Sequence, residues 1–167
     1  TAPSLTATRI IMTDTTASYD INLNDKISGS TYYWSSSNPD VVSVNAKSGL
    51  IKAHKQGTAI ITCEITFPDS TKQSLTSEVI VGFDENAPTL SEDELELEVG
   101  EKFTIKVENL VKDSKVSWKS SDKKVIKVGS INGKVSAIGA GEAYITCTIT
   151  TFDKQVIILR TNVIVTE

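Results

Sequence analysis

The sequence predicts an all-β chain of two tandem β-sandwiches, about seven strands in each, and three observations carry that prediction. Trp34 to Thr66 lies over Trp118 to Thr150 at a constant offset of 84 residues without a gap, and 14 of the 33 aligned positions are identical. Short segments of alternating apolar and polar residues recur with turn signals roughly every 8 to 12 residues. No segment shows a helical period. A repeat of 84 residues is well above the roughly 20 to 50 of solenoid units, so each copy is long enough to enclose its own core. The expected domains are residues 1–83 and 84–167.

The copies begin alike, with Ala2-Pro3-Ser4-Leu5 and Ala87-Pro88-Thr89-Leu90, here at an offset of 85. The next strands expected are Tyr19-Asp20-Ile21-Asn22-Leu23 and Phe103-Thr104-Ile105-Lys106-Val107. Thr31-Tyr32-Tyr33-Trp34 and Lys115-Val116-Ser117-Trp118 follow, each running into a polar turn that starts Ser36-Ser37-Asn38-Pro39 or Ser120-Ser121-Asp122. Val41–Val44 with Leu50–Ala53, and Val125–Val128 with Lys134–Ala137, read as β-hairpins whose five-residue loops end in Gly49 and Gly133. Gly57 and Gly141 then mark a turn that needs positive φ or close backbone approach.

Ala59–Ile65 and Ala143–Ile149 alternate with a period of two, the pattern of a half-buried strand, and put Ala, Ile, Cys, Ile inward in both copies. The expected core is therefore Trp34, Ile61 and Cys63 in one copy and Trp118, Ile145 and Cys147 in the other. Ser77–Val81 and Thr161–Val165 are the last strands. Only Gly82-Phe83-Asp84-Glu85-Asn86 separates the copies, which predicts an end-to-end, semi-rigid pair.

Trp34-Ser35-Ser36-Ser37-Asn38, the Val-rich hairpin, Gly49-Leu50-Ile51-Lys52-Ala53 and Gly57-Thr58-Ala59-Ile60-Ile61-Thr62, all matched in the second copy, resemble the bacterial immunoglobulin-like group 2 (BIG2) family. The second copy also has Leu95-Glu96-Leu97-Glu98-Val99-Gly100-Glu101, similar to the family's opening strand; the first has Asp14-Thr15-Thr16-Ala17 there and departs from it. The resemblance implies immunoglobulin-like sandwiches, repeated in tandem in bacterial surface or secreted proteins, and does not imply a catalytic residue. Unlike antibody domains, each copy has a single cysteine, so Cys63 is expected to face an apolar residue such as Ile21 or Leu23.

A search for chemistry finds no expected catalytic, cofactor-binding or metal-binding residue. His54 is the one histidine, and its counterpart is Ile138, so it has no role common to both copies. Cys63 and Cys147 are equivalent by the repeat and read as buried thiols behaving as small hydrophobes. Eight acids and no base lie between residues 84 and 101. Asp84, Glu85, Glu92 and Asp93 could collect calcium at a domain junction, but Glu94, Glu96 and Glu98 alternate with leucines, roughly 7 Å apart on one strand face, too far to chelate one ion together. A charged edge strand that discourages strand pairing explains the run as well. The aromatics available for a sugar platform, Tyr33, Phe67, Tyr144 and Phe152, do not repeat between copies.

Net charge of −4 argues against nucleic acid as a partner. No apolar run approaches the roughly 18 to 20 residues of a membrane-spanning helix. Thr1-Ala2-Pro3-Ser4 has neither an initiator Met nor a signal-like stretch, so a monomeric segment of a longer multidomain chain is expected. The function expected is that of a non-catalytic extracellular spacer and adhesion module on a bacterial surface, holding a functional domain away from it. The alternative is a binding module for a polysaccharide, cell-wall glycan or host matrix protein, acting through the loops that differ most, Phe67–Thr71 and Thr151–Asp153.

Overall fold

A computed structural model describes residues 1–167, all strand and loop. Two compact units emerge, Thr1–Phe83 with Asp153–Val156, and Asp84–Phe152 with Ile157–Glu167. In chain order the first contains β1 (Ser4–Leu5), β2 (Arg9–Met12), β3 (Ser18–Asp20), β4 (Leu23–Asn24), β5 (Thr31–Ser36), β6 (Val42–Val44), β7 (Leu50–Ala53), β8 (Gly57–Thr66) and β9 (Lys72–Val81). The strands that follow are β10 (Thr89–Leu90), β11 (Glu94–Glu98), β12 (Lys102–Thr104), β13 (Val107–Glu108), β14 (Lys115–Ser120), β15 (Ile126–Val128), β16 (Lys134–Ala137), β17 (Gly141–Thr150) and β18 (Gln155–Thr166).

Each unit builds one layer of four strands and one of three. In the first the orders are β5-β8-β9-β2 and β3-β7-β6; in the second they are β14-β17-β18 with β11 beside β18, and β12-β16-β15. The opening strand runs parallel to the closing one in both, with Ile10 opposite Val79 and Leu95 opposite Val163. A four-plus-three sandwich with that parallel edge is immunoglobulin-like, and both units have it. The small pairs β1–β4 and β10–β13 sit outside the two layers.

Two expectations need correction. Tyr19–Leu23 and Phe103–Val107 are not single strands: each breaks at its middle, β3 pairing with β7 while β4 pairs with β1, and β12 with β16 while β13 pairs with β10. The break falls at Ile21 and Ile105, whose amides donate instead to the carbonyls of Gly49 (3.2 Å) and Gly133 (3.0 Å). The first unit also has its opening strand after all. It is β2, Arg9–Met12, at the offset of 85 that relates it to β11, and Asp14–Ala17 is the turn after it, where the Thr16 amide donates to Asp14 Oδ1 at 2.7 Å. The signal was masked because Ile10, Ile11 and Met12 are all buried, so the strand reads as a continuous apolar run with no alternation.

The core lies between the layers. Trp34 stands directly opposite Cys63 across the β5–β8 pair, and Trp118 opposite Cys147 across β14–β17. Trp34 and Trp118 are 4 % and 6 % exposed, and Cys63, Cys147, Ile61, Ile145 and Ile21 are fully buried.

Candidate functional site

The residues shared by the two copies hold the sandwich together, and each has an identifiable task. Gly49 (φ +79°) ends the β6–β7 loop against the indole of Trp34, where a Cβ would come 2.8 Å from Cε2 and 2.6 Å from the carbonyl oxygen of Ile21. Gly133 (φ +65°) does the same beneath Trp118, its Cβ position 2.9 Å from Cζ2. The loops are fastened there by the tryptophan amides, which donate to the carbonyls of Ala46 (2.9 Å) and Ser130 (3.0 Å). Gly57 (φ +144°) and Gly141 (φ +149°) each pass 3.0 Å, measured from a Cβ, from a methyl of Val41 or Val125.

The paired serines have two distinct jobs. Ser36 Oγ donates to the Val42 carbonyl (2.6 Å), and Ser120 Oγ to that of Ile126 (2.7 Å), tying the end of one strand to the start of the next. Ser37 and Ser121 lengthen the ladder to the neighbouring strand, accepting on Oγ from the amides of Ile60 (2.8 Å) and Tyr144 (2.9 Å).

The thiols are set apart from reaction. Burial pushes Cys63 up to about 11, against a smaller opposing pull from Lys26, and pushes Cys147 up to about 12. The thiolate needed for nucleophilic attack is correspondingly scarce. His54 is exposed and its Nε2 lies 2.7 Å from Ser43 Oγ.

The acidic run resolves into a turn and a strand. Asp84 Oδ1 accepts from the Asn86 amide at 2.9 Å, while Glu94, Glu96 and Glu98 are exposed at alternate positions of β11. No group of three or more His, Cys, Asp or Glu is arranged to hold a metal ion. The two variable loops differ in character. Phe67–Thr71 closes on itself, the Phe67 amide donating to the Thr71 carbonyl (2.8 Å), and Asp69 Oδ1 accepting from the Thr71 amide (2.9 Å) and hydroxyl (2.5 Å). The Thr71 hydroxyl, and secondarily its amide, hold the Asp69 carboxyl below its ordinary value. In the other loop Thr151 is buried and Phe152 is 89 % exposed.

A cavity of about 620 Å³ opens on the outer face of the four-stranded sheet of the second unit. β11 contributes Glu94 and Glu96, β17 Glu142 and Tyr144, and β18 Arg160, Asn162 and Ile164. The Arg160 guanidinium lies over the Tyr144 ring, its carbon 3.7 Å from the centroid, and its Nε donates to Asn162 Oδ1 at 2.9 Å. The ring contact and the hydrogen bond both restrain the guanidinium. Sequence reasoning named Tyr144 as an outward aromatic but not Arg160 or the groove. The missing signal was cross-strand: residues on three strands meet here, and only the pairing of those strands brings them together.

Comparison with known proteins gives a likeness of fold. No family model and no curated protein matches the chain. Among solved structures, the Ig1-2 module of the Drosophila receptor protein tyrosine phosphatase DLAR aligns over 99 % of both chains at 12 % identity and a TM-score of 0.48. Domains 4 and 5 of the S-layer protein SbsC align over 89 % of this chain and 82 % of theirs, with 18 % identity and a TM-score of 0.40. A SusE-like surface-located polysaccharide binding protein from Bacteroides thetaiotaomicron aligns at 13 % identity and a TM-score of 0.33, and the chain spans 34 % of its length.

Proposed function

We propose that this chain is a pair of BIG2-type domains from a bacterial surface or secreted protein, a non-catalytic extracellular module whose task is to hold a functional domain away from the surface. The observation that supports it is the use made of the repeated residues. Gly49 and Gly133 pack against Trp34 and Trp118, Gly57 and Gly141 against Val41 and Val125, the paired serines tie neighbouring strands, and the repeated cysteines are sealed in the core. A duplicated catalytic domain would repeat its reactive groups; here the repeat preserves a scaffold.

Surface display tests this reading. A reporter domain joined to the N-terminus of the pair, with the C-terminus anchored to a bacterial cell, is expected to be reached by a bulky antibody. Access should fall when the pair is deleted. Unchanged access after deletion overturns the spacer role. The second reading, a ligand-binding module, has one specific observation in its favour: the groove on the second unit.

A further inference from the structure

We infer that the groove across β11, β18 and β17 is a binding site for a neutral, polyhydroxylated ligand, an oligosaccharide segment. This goes beyond the spacer reading, and it gives the binding-module reading a place and a ligand class. The first argument is that the charged, amide and aromatic side chains lining the groove occur in one copy only. At the offsets that relate the copies, Glu142, Tyr144, Arg160 and Asn162 correspond to Thr58, Ile60, Thr76 and Glu78, and Glu94 and Glu96 to Arg9 and Ile11. The scaffold beneath is the same in both, down to the Ser121 and Ser37 bonds that position residues 144 and 60. An outer face that needed only to be wet would not require this set.

The second argument is the chemistry of the lining. Glu94, Glu96 and Glu142 line it as hydrogen-bond acceptors, and the Arg160 guanidinium lies over the Tyr144 ring. Asn162 accepts from Arg160 on Oδ1, which leaves its Nδ2 to donate. Both signs of charge occupy one groove. Three carboxylates against one guanidinium disfavour an anionic ligand. A hydroxyl both donates and accepts, so a row of neutral hydroxyls can donate to the carboxylates and accept from Asn162 Nδ2 without net repulsion. The two oxygens of a carboxylate can accept from both members of a vicinal hydroxyl pair. The volume falls in the range of small-molecule sites, roughly 300 to 1,000 Å³.

The test is titration of the intact two-domain protein with neutral oligosaccharides: gluco-, xylo- and manno-oligomers and N-acetylglucosamine oligomers. Polygalacturonate and chitosan oligomers serve as the anionic and cationic arms. Amide shifts should move on β11, β17 and β18 with a neutral oligomer. The double variant Glu142→Thr, Tyr144→Ile carries the residues that the same scaffold accepts at Thr58 and Ile60, and is expected to weaken binding at least tenfold with an unchanged thermal midpoint. Glu94→Ala, an exposed position, gives a second reading of the same site. Binding of the charged oligomers alone, binding undiminished in the variants, or no binding of any neutral oligomer overturns the inference. Each of those results leaves the spacer reading standing, since that reading is decided by surface access.

Discussion

Gly49 lies so close to the Trp34 indole that the Cβ of an alanine would fall 2.8 Å from Cε2 and 2.6 Å from the Ile21 carbonyl oxygen. Gly49→Ala is therefore expected to destabilise the first unit by about 2 to 4 kcal/mol, combining the left-handed φ with overpacking. Gly133→Ala should do the same to the second. The measurement is urea unfolding of each variant followed by tryptophan fluorescence. Because the chain has two compact units, the transitions should be fitted separately. Trp34→Ala removes a buried aromatic at a cost of about 3 to 5 kcal/mol. In that background Gly49→Ala should cost distinctly less, since the ring it strikes is gone, and strict additivity would show that the contact is not the cause.

Ser120→Ala should cost about 1 to 2 kcal/mol, because it removes a buried hydroxyl that donates to the Ile126 carbonyl and leaves that oxygen without its partner. Ser77→Ala is the contrasting case. Ser77 Oγ is fully buried with no partner, whereas the hydroxyl of its counterpart Thr161 donates to the Glu92 carbonyl at 2.6 Å. Ser77→Ala should be neutral or stabilising, and Thr161→Val should cost about 1 kcal/mol. Thermal or denaturant midpoints of the two variants decide it; equal losses would contradict the assignment of partners.

Much of the fold was legible because alternation and repetition act locally. The hairpins formed as read, with Val42 opposite Ala53 and Ile126 opposite Ala137, and the strand carrying Cys63 needed only its period of two to place Ala59, Ile61 and Ile65 inside. What escaped depends on partners distant in sequence. Arg9–Met12 is a strand because β9 lies alongside it, and the middle of Tyr19–Leu23 leaves the sheet because Gly49 captures the Ile21 amide. The Arg160–Tyr144 stack joins two strands whose register no local pattern specifies.

At pH 8 a thiol reagent should leave both cysteines of the folded protein unmodified. Cys63 rises from 9.0 to about 11 and Cys147 to about 12, cutting the thiolate fraction about 100-fold and about 1,000-fold. Both are also closed to solvent. Modification should therefore track unfolding, appearing at the urea concentration where fluorescence changes. The raised values also set the alkaline limit. Their contribution to stability is fully present below about pH 9 and is lost as pH rises through about 11 to 12, because the unfolded chain releases those protons first. Alanine at both positions should flatten that alkaline decline.

Acid acts at a different place. Asp69 has its carboxyl value lowered by the Thr71 hydroxyl, so the loop it closes is intact above the unfolded carboxylate value and loosens as pH falls through the depressed one. The Thr71 amide should show a large shift change over that acid range by NMR titration, and Asp69→Asn should abolish the titration with little change in overall stability. A Thr71 shift insensitive to acid would contradict the bond.

Along β17 the odd residues Ile145, Cys147 and Ile149 are fully buried, while Glu142 and Tyr144 look outward. One strand therefore carries two messages, written on alternate letters. Substitution of the outward letters can rewrite what the module meets without editing the letters that fold it, which is how a duplicated scaffold gains a new surface one residue at a time.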